Sequence, residues 1–378
     1  MLLGAYGIDY REDKAVRTVV MDLSVFKDPE LAKGLIHSIQ KWAPQQATLM
    51  EVCGTHTVSI ARNGLRTMMP EGTRLASGPG CPVCVTSNKD IDTVIALSRV
   101  PGVKITTFGD MTRVPGSTSS LLKEQAAGRD INIVYSPLDA LKIAQDNPES
   151  EVVFVGVGFE TTTPLVAMAI KRAQALGLKN FSVFVAHKNM PNALEVIVSD
   201  PALKVDALIL PGHVSTIIGM KPYEFLAEKY GVPGVITGFE PVDILQGIAM
   251  IMRQLHEGRA EIEIAYKRGV EAQGNTVALA AIDEVFETVD ATWRGLGVIP
   301  QSGYAIRPKY AEYDAFQRFQ PEVEPTQEPK GCRCGDVLRG AMAPNECPLF
   351  RKVCTPENPV GPCMVSSEGS CAAYFRYL

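Results

Sequence analysis

The stretch EVVFVGVGFETTTP, residues 151–164, shows the pattern that decides the fold. Its apolar first half, Glu151–Val157, predicts a buried strand, and its Gly-, Thr- and Pro-containing second half predicts a loop leading into a helix. Strands alternating with helices indicate an α/β protein with Rossmann-like parallel sheets covered on both faces. The same unit recurs, with strands predicted at Thr48–Val52, Arg74–Ser77, Val103–Phe108, Ile131–Tyr135, Phe181–Ala186, Ala207–Leu210 and Gly234–Thr237.

Polar and thiol side chains follow these strands, in loops such as CGTHT, GPGCPVC, GDMTRVPGS and PGHVSTIIG. Ligands of open α/β sheets bind beyond the carboxyl ends of the strands. We therefore expect two such domains to face each other across a functional cleft. The candidate residues at these strand ends are Cys53, His56, Cys81, Cys84, Asp110, Arg113, Glu160, His187, His213 and Glu240.

The spacing of the strands also predicts the domain organisation, because four of them lie on each side of residues 147–150. A helical pattern at 29–43 is expected to pack on the C-terminal domain, which is mainly helix and loop. Residues 320–330, rich in Pro and Glu, predict a surface linker. The predicted parts are residues 1–44, an N-terminal extension and helix; 45–148 and 149–260, the two α/β domains; and 261–378, the C-terminal domain.

The composition of the 378 residues narrows the class of protein. A net charge of −5 provides no basic surface for nucleic acid or anionic lipid. No apolar run reaches the roughly 20 residues that span a bilayer. Acidic residues Asp9, Glu12 and Asp13 near the N-terminus do not fit a secretory signal, so we expect a cytoplasmic, reducing location. Nine cysteines there are more typical of metal ligands and redox thiols than of structural disulfides.

The last part of the chain concentrates six of the nine cysteines as dispersed single residues. This spacing lacks the close C-x₂₋₄-C pairs of most zinc sites, and it favours a [4Fe–4S] cluster, which takes one thiolate at each iron. Structural zinc and a disulfide knot remain alternatives. Four ligands suffice for the cluster, so two thiols are surplus. The six are Cys332, Cys334, Cys347, Cys354, Cys363 and Cys371.

The other three cysteines lie in two Gly-containing loops. Cys81-Pro-Val-Cys84 precedes a predicted helix, a context that lowers a thiol pKa and favours a redox pair, although C-x-x-C also forms half of many zinc sites. Cys53 lies three residues before His56, and it suits either a buried small hydrophobe or a soft metal ligand or nucleophile. Gly156-x-Gly158 has Thr161 where a dinucleotide fingerprint has its third glycine, which argues against a nicotinamide cofactor.

Long ordered motifs relate the chain to a known family. MEVCGTHT, GPGCPVC, FGDMTRVPGS, VGFETTTP, PGHVSTIIG, TGFEP and the tail CPLF…CTPENPVGPCMVSSEGSCAAY closely resemble the HypD family of [NiFe]-hydrogenase maturation proteins. The resemblance runs from about residue 28 to the end, and the first 25 or so residues resemble an extension. It implies a scaffold for assembling the Fe(CN)₂CO centre, in complex with a small HypC-type chaperone and supplied with cyanide by a HypE-type protein.

The same resemblance implies roles for individual residues. Cys53 would hold the iron jointly with the chaperone, and Cys81 and Cys84 would be the redox pair beside it. The surplus thiols Cys332 and Cys363 would lie together, as a thiol pair or a disulfide. Six further residues would line the cleft, moving protons or binding cyanide: Asp110, Arg113, Glu160, His187, His213 and Glu240. The cluster ligands would be Cys334, Cys347, Cys354 and Cys371.

Two other functional classes are compatible with the thiols. A thiol–disulfide oxidoreductase resembling ferredoxin–thioredoxin reductase needs the tail cluster, Cys81 and Cys84, but no role for Cys53. A binding protein with a structural zinc tail needs no redox chemistry. The favoured scaffold differs from an ordinary turnover enzyme, and we expect the free protein to be a monomer.

Overall fold

The computed structural model describes residues 27–378, together with two short antiparallel strands near the N-terminus. The rest of the predicted extension, within residues 1–26, lies outside the described residues. The strands are β1 (Ile8–Tyr10), β2 (Val19–Met21), β3 (Ala47–Glu51), β4 (Thr73–Ser77), β5 (Val103–Thr107), β6 (Asp130–Ile133), β7 (Glu151–Gly156), β8 (Phe181–Val185), β9 (Ala207–Pro211), β10 (Gly234–Thr237), β11 (Ile262–Ile264), β12 (Phe286–Trp293) and β13 (Gly297–Ile306).

Helices connect most of these strands, and short helices form much of the tail. Within the described part of the chain, no helix is long and apolar enough to cross a membrane. The helices are α1 (Pro29–Trp42), α2 (Gly54–Arg62), α3 (Pro82–Val85), α4 (Asn88–Arg99), α5 (Gly109–Arg113), α6 (Leu121–Ala126), α7 (Pro137–Asp146), α8 (Thr163–Leu176), α9 (Met190–Ser199), α10 (Gly212–Ile218), α11 (Glu224–Tyr230), α12 (Pro241–Glu257), α13 (Thr276–Val285), α14 (Ala315–Phe319), α15 (Cys334–Leu338), α16 (Pro362–Val365) and α17 (Ser370–Tyr377).

Two parallel sheets form the centre of the protein, which confirms the predicted α/β class. The first sheet has the strand order β11-β10-β9-β3-β4, and the second has the order β6-β5-β7-β8. Every pairing within them is parallel. All eight predicted strands are present, with bounds that differ by two residues or fewer. The inner strands β3, β5, β7, β9 and β10 are almost continuously buried, which fits sheets covered on both faces, whereas the edge strand β6 buries only Ile131.

The grouping of strands differs from the prediction. The expected break at residues 147–150 lies between β6 and β7, which belong to the same sheet, whereas β3 and β4 pair with strands from the second half of the chain. The four-per-half grouping was therefore wrong, because periodicity identifies a strand but not its neighbour. The predicted C-terminal domain likewise contributes β11 to the first sheet. Its outline as a separate unit stays a prediction.

The order of strands places a crevice in each sheet. In the first sheet the direction of winding reverses between β3 and β9, and in the second it reverses between β5 and β7. At such a switch point the loops after the two strands diverge to opposite faces, and this leaves room for a ligand. The segments that begin at Val52 and Gly212 flank the first crevice, and those that begin at Phe108 and Val157 flank the second.

Helix α1 covers the outer face of the first sheet together with α12. Ile39 of α1 shares a core with Leu49 of β3 and with Ile248 of α12. The expected packing of this helix on the C-terminal domain was wrong, because its apolar face is buried against α12 instead. Residues 243–287 have a helical sequence pattern with an interruption near 269–275, but the structure divides this segment earlier. Helix α12 ends before the left-handed Gly258, and β11 precedes α13.

The tail reaches the sheets through a segment without helix or strand at residues 320–329. Arg99 of α4 binds both Glu124 and Glu324, and the backbone oxygen of Gln327 accepts hydrogen bonds from Asn88 and Ser117. These contacts hold the predicted linker along the second sheet. The hairpin β12–β13, which sequence reasoning did not predict, precedes this segment.

Replacing Arg66 with methionine is expected to destabilise the fold by about 3 kcal/mol, because it leaves a buried carboxylate without its cation. Glu51, the last residue of β3, is 0% exposed and lies 3.1 Å from Arg66, and Ser77 donates to it over 2.7 Å. Burial raises the pKa of Glu51, and the Arg66 charge opposes that rise. Urea denaturation measures the change. Arg62→Met, on the exposed end of α2, is the control, and an equal loss in both variants would contradict the prediction.

Candidate functional site

Cys53 lies at the switch point of the first sheet. It is the N-cap residue of α2, two residues after β3 ends, with an extended backbone at φ −148° and ψ 128°. The N–H of Val52 donates to the Ile209 oxygen of β9 over 3.2 Å, which holds this loop against the neighbouring strand. The side chain is 8% exposed, so the sulfur lies in a confined space at the carboxyl edge of the sheet.

The surroundings of the Cys53 sulfur favour the neutral thiol. Burial, and next the negative charge of Glu368, raise the pKa of Cys53 to about 11. The backbone N–H groups of Thr55 and His56, in the first turn of α2, lower the pKa of Cys53, but by less than burial and Glu368 raise it. A thiol in this state gives up its proton only when a positive charge, such as a metal cation, replaces it.

The tail closes over the N-terminus of α2. Thr55 donates to the Glu368 carboxylate over 2.7 Å, and a Cβ at Gly54 would lie 2.5 Å from the Glu368 Cβ. Only a residue without a side chain allows this approach. Glu368 also raises the pKa of His213, although burial lowers it more. Sequence reasoning missed Glu368: its motif was quoted, but no spacing relates it to a residue more than 300 positions earlier.

Two histidines flank one aromatic ring beside this thiol. The Phe239 ring stacks on His56 at 4.8 Å and on His213 at 3.9 Å between ring centroids. The three residues follow β3, β9 and β10, so the predicted convergence of strand-end residues is present for both histidines. Phe239 was not singled out from the sequence, because an aromatic residue in a loop gives no chemical signal of its own.

The His56 imidazole is fixed as a neutral ring. Nε2 lies 2.9 Å from the Gly238 carbonyl oxygen, which can only accept, so Nε2 carries the hydrogen. Burial lowers the pKa of His56 to about 4, and Nδ1 has no hydrogen-bond partner among residues 27–378. The lone pair of Nδ1 is therefore available to a proton or a ligand.

The C-x-x-C loop packs directly on the backbone of Cys53. The N–H of Gly54 donates to the Gly80 oxygen over 3.1 Å, and a Cβ at Gly80 would overlap the backbone of Val52 and Cys53. Cys81 is the N-cap of α3 and is joined to Cys84 by a disulfide. The structure thus brings the three body cysteines into one region, as the sequence predicted.

The tail cysteines surround a small cavity with apolar walls. Val337, Leu349, Phe350 and Met364 supply much of the wall. A Cβ at Gly361 would lie 2.6 Å from the Cys332 sulfur and 2.7 Å from that of Cys334, so glycine leaves space for these sulfurs. The five cysteines that line the cavity are Cys332, Cys334, Cys347, Cys354 and Cys371.

The four predicted cluster ligands all belong to this lining, and Cys332 joins them. Cys363 is fully buried behind it and interacts with the thiols of Cys334 and Cys371. Cys332 and Cys363 were predicted to form a thiol pair or a disulfide; both are free thiols, so no disulfide joins them in the described chain. Each contacts Cys334 instead. Among residues 27–378, no three His, Cys, Asp or Glu side chains converge as a site for a single metal ion.

The Cys81–Cys84 pair lies against the tail thiols. Helix α3 packs on α15 and α16. Cys81 and Cys84 consequently share one apolar core with Trp293 and with four tail cysteines, Cys334, Cys354, Cys363 and Cys371. The C-x-x-C therefore lies between Cys53 on one side and the cysteine-lined cavity on the other.

Asp110 and Arg113 of α5 contact the tail rather than Cys53. The Ser367 N–H donates to Asp110 over 3.3 Å, and Arg113 donates to the Pro356 oxygen. Glu240 caps α12 and forms an ion pair with Lys27 at 3.7 Å. These predicted cleft residues therefore have contacts that hold the tail or a helix end in place.

The remaining two candidates, Glu160 and His187, are buried near the switch point of the second sheet. One Glu160 oxygen accepts the Met190 N–H over 2.9 Å, and the other has no partner within the described residues. His187 is 1% exposed beside Gly156, and burial lowers its pKa to about 3. Neither of its ring nitrogens is hydrogen-bonded in residues 27–378.

The Glu160→Gln variant is expected to flatten the pH dependence of stability. Burial raises the pKa of this carboxyl from 4.5 to about 7, so the folded protein favours the neutral acid. That stabilisation is complete below pH 4.5 and is lost as the pH rises through 7. Between pH 5 and 8, urea denaturation should show a loss about 2–3 kcal/mol larger in the parent than in Glu160→Gln. Parallel profiles of stability against pH for the parent and for Glu160→Gln would contradict this prediction.

Comparisons with known proteins identify the family of the chain. The family model named HypD and described as "Hydrogenase formation hypA family" matches residues 30–378. The chain is 49% identical to hydrogenase maturation factor HypD of Rhodobacter capsulatus, over 94% of this chain and 97% of that protein. It is 48% identical to the factor of the same name from Azotobacter vinelandii, over 93% and 95% of the two chains. The chain belongs to the HypD family of hydrogenase maturation factors.

Proposed function

We propose that the protein is the scaffold on which the Fe(CN)₂CO centre of a [NiFe] hydrogenase is assembled, with Cys53 as its ligand to the iron. The observation that carries the proposal is the position of Cys53. Its sulfur lies at the switch point of the first sheet, between the C-x-x-C loop and the tail carboxylate Glu368. A HypC-type chaperone would share the iron, and a HypE-type protein would bring cyanide. The cytoplasmic location stays a prediction.

The chemistry of Cys53 suits an iron substrate that carries cyanide and carbon monoxide. A soft thiolate binds such low-spin iron well. The pKa near 11 keeps the free thiol protonated, so the incoming cation displaces a proton when it binds.

The tail cavity fits a [4Fe–4S] cluster held by Cys334, Cys347, Cys354 and Cys371. Such a cluster takes one thiolate at each corner, so its ligands surround a cavity and do not converge on one point. The lining supports this: it contains five thiols, four apolar side chains and Arg333, and it has no carboxylate or imidazole. When bound, a cluster supplies single electrons at low potential.

The Cys81–Cys84 pair suits the reductive release of cyanide. Cleaving the S–CN bond of a protein thiocyanate needs two electrons and two protons, and these give a thiol and hydrogen cyanide. A Cys81/Cys84 dithiol provides both when it becomes the disulfide, so atoms and electrons balance. The Cys81–Cys84 disulfide is the oxidised product of such a step. Returning it to the dithiol would take two protons and two electrons from an external reductant, which the adjacent tail would pass on.

Infrared spectroscopy tests the proposal. The protein is purified with its small chaperone under maturation conditions, and CO and CN stretching bands are expected in the parent but not in Cys53→Ser. Cys363→Ser is a matched control outside the proposed ligand sets, and it should keep the bands. Bands of equal strength in Cys53→Ser would overturn the role of Cys53, and their absence from the parent would overturn the scaffold.

A thiol–disulfide oxidoreductase is the second candidate, favoured by the Cys81–Cys84 disulfide and its packing on the tail thiols. That function requires no third body thiol. If Cys53→Ser retains hydrogenase maturation while Cys81→Ser abolishes it, the oxidoreductase replaces the scaffold.

A further inference from the structure

A cavity of about 420 Å³ lies between the two sheets, apart from the thiols. Helix α9, which follows the second sheet, forms one side, and α10 and α11 of the first sheet form the opposite side. Its walls are largely apolar and include Pro191, Ile218, Phe225, Leu279 and Ile282. The size and the lining are typical of a site for a small ligand or a single side chain.

Two residues that line the cavity, Glu160 and Asn189, each have a buried acceptor oxygen without a donor among the described residues. Glu160 is 2% exposed, and one of its carboxyl oxygens is unpartnered within residues 27–378. Asn189 is 7% exposed; its Nδ2 donates to the Gln301 oxygen over 2.6 Å, and its Oδ1 has no partner in the same range. The carbonyl partner fixes the amide orientation, so Oδ1 can only accept. A buried acceptor without a donor costs free energy that a ligand N–H would recover.

We propose that this cavity binds a guanidinium or amidinium group carried on an apolar stem. Such a group presents planar pairs of N–H donors and no acceptor, which suits one carboxylate and one amide oxygen. The apolar walls would cover the stem. Glu195, the acid at the rim, already accepts hydrogen bonds from Lys229 over 2.6 Å and from Tyr230 over 2.9 Å. Glu160 is therefore the carboxylate that would pair with the ligand cation. The proposal does not depend on the iron scaffold.

Benzamidine is the probe, and its binding to the full-length protein is measured by calorimetry. We expect saturable binding with a Kd of about 1 mM, weakened at least tenfold in Glu160→Gln. Glu228→Gln, an exposed acid on α11 outside the cavity, should bind like the parent. Leu279→Trp fills the cavity without changing its charge and should also abolish binding. If Glu160→Gln fails to fold, the loss of benzamidine binding in Leu279→Trp tests the site instead.

Affinity is also expected to rise about tenfold from pH 6 to pH 8, as Glu160 ionises. The other groups facing it are Tyr223 and Tyr304, whose raised pKa values keep them neutral, and the paired Glu195. Comparing agmatine with N-acetylarginine amide separates the sources: tighter agmatine binding indicates a free metabolite, and tighter binding of the arginine derivative indicates the side chain of a partner protein. Absence of saturable benzamidine binding below 10 mM, or equal binding by Glu160→Gln, would overturn the site.

Discussion

Gly80→Ala is expected to abolish hydrogenase maturation although every thiol is retained. The new Cβ would overlap the backbone atoms of Val52 and Cys53, which cannot rotate away as a flexible side chain could. Either the C-x-x-C loop lifts from α2 or the N-terminus of α2 moves, and both changes separate the proposed redox pair from the proposed iron ligand. Overpacking of this kind costs about 3 kcal/mol.

Hydrogenase activity in cells that carry the variant measures this effect, with urea denaturation of the purified protein beside it. We expect activity at least 100-fold below the parent. Gly34→Ala is the matched control: a Cβ there meets no atom within 4 Å, and alanine on this helix should stabilise the fold by about 0.5–1 kcal/mol. Full activity of Gly80→Ala would show that close packing of the two loops is unnecessary.

Cys334→Ser is expected to remove the cluster, whereas Cys332→Ser retains it. Both thiols line the cavity, and only two positions separate them. Cys334 is also central among the thiols, since Cys332, Cys363 and Cys371 all interact with it. After anaerobic purification we expect iron and acid-labile sulfide to fall from about four atoms each per chain to below one in Cys334→Ser.

The paired variants also test the ligand set proposed from the family resemblance. Loss of iron in both variants would add Cys332 to the cluster ligands. Loss of iron in Cys332→Ser alone would mean that Cys332, and not Cys334, is the ligand. A parent protein that contains zinc and no acid-labile sulfide would contradict the cluster and leave a structural zinc tail.

The strands of both sheets could be predicted from the sequence, but their partners could not. Alternating apolar segments and polar loops identified β3 and β9 within a residue or two, because that signal is local. Their pairing, Met50 beside Leu208, joins segments more than 150 residues apart. It depends on how all the helices cover the sheets, which no local pattern reports. For the same reason the packing of α1 on α12 was not foreseen.

The parts of the candidate site that could be predicted are those whose residue types occur together in short sequence motifs. Cys53, His56 and the C-x-x-C stand in loops whose residue types suggest thiol chemistry, and the fold brings them together. Glu368 and Phe239 were missed because their importance arises only from contacts across the fold. Asp110 was expected in the cleft because it follows a strand, but its carboxylate accepts a hydrogen bond from the backbone N–H of Ser367 in the tail.

The return of the chain to its first sheet has a consequence for synthesis on the ribosome. Residues 52–206 are translated after β3 and before its neighbour β9. At typical elongation rates this interval lasts about 10–30 s, during which one edge of β3 has no partner. Open strand edges invite pairing with other nascent chains, so this interval is the period of greatest aggregation risk. Because Glu368 is translated more than 300 residues after Thr55, the contact that closes the tail over the N-terminus of α2 forms late in synthesis.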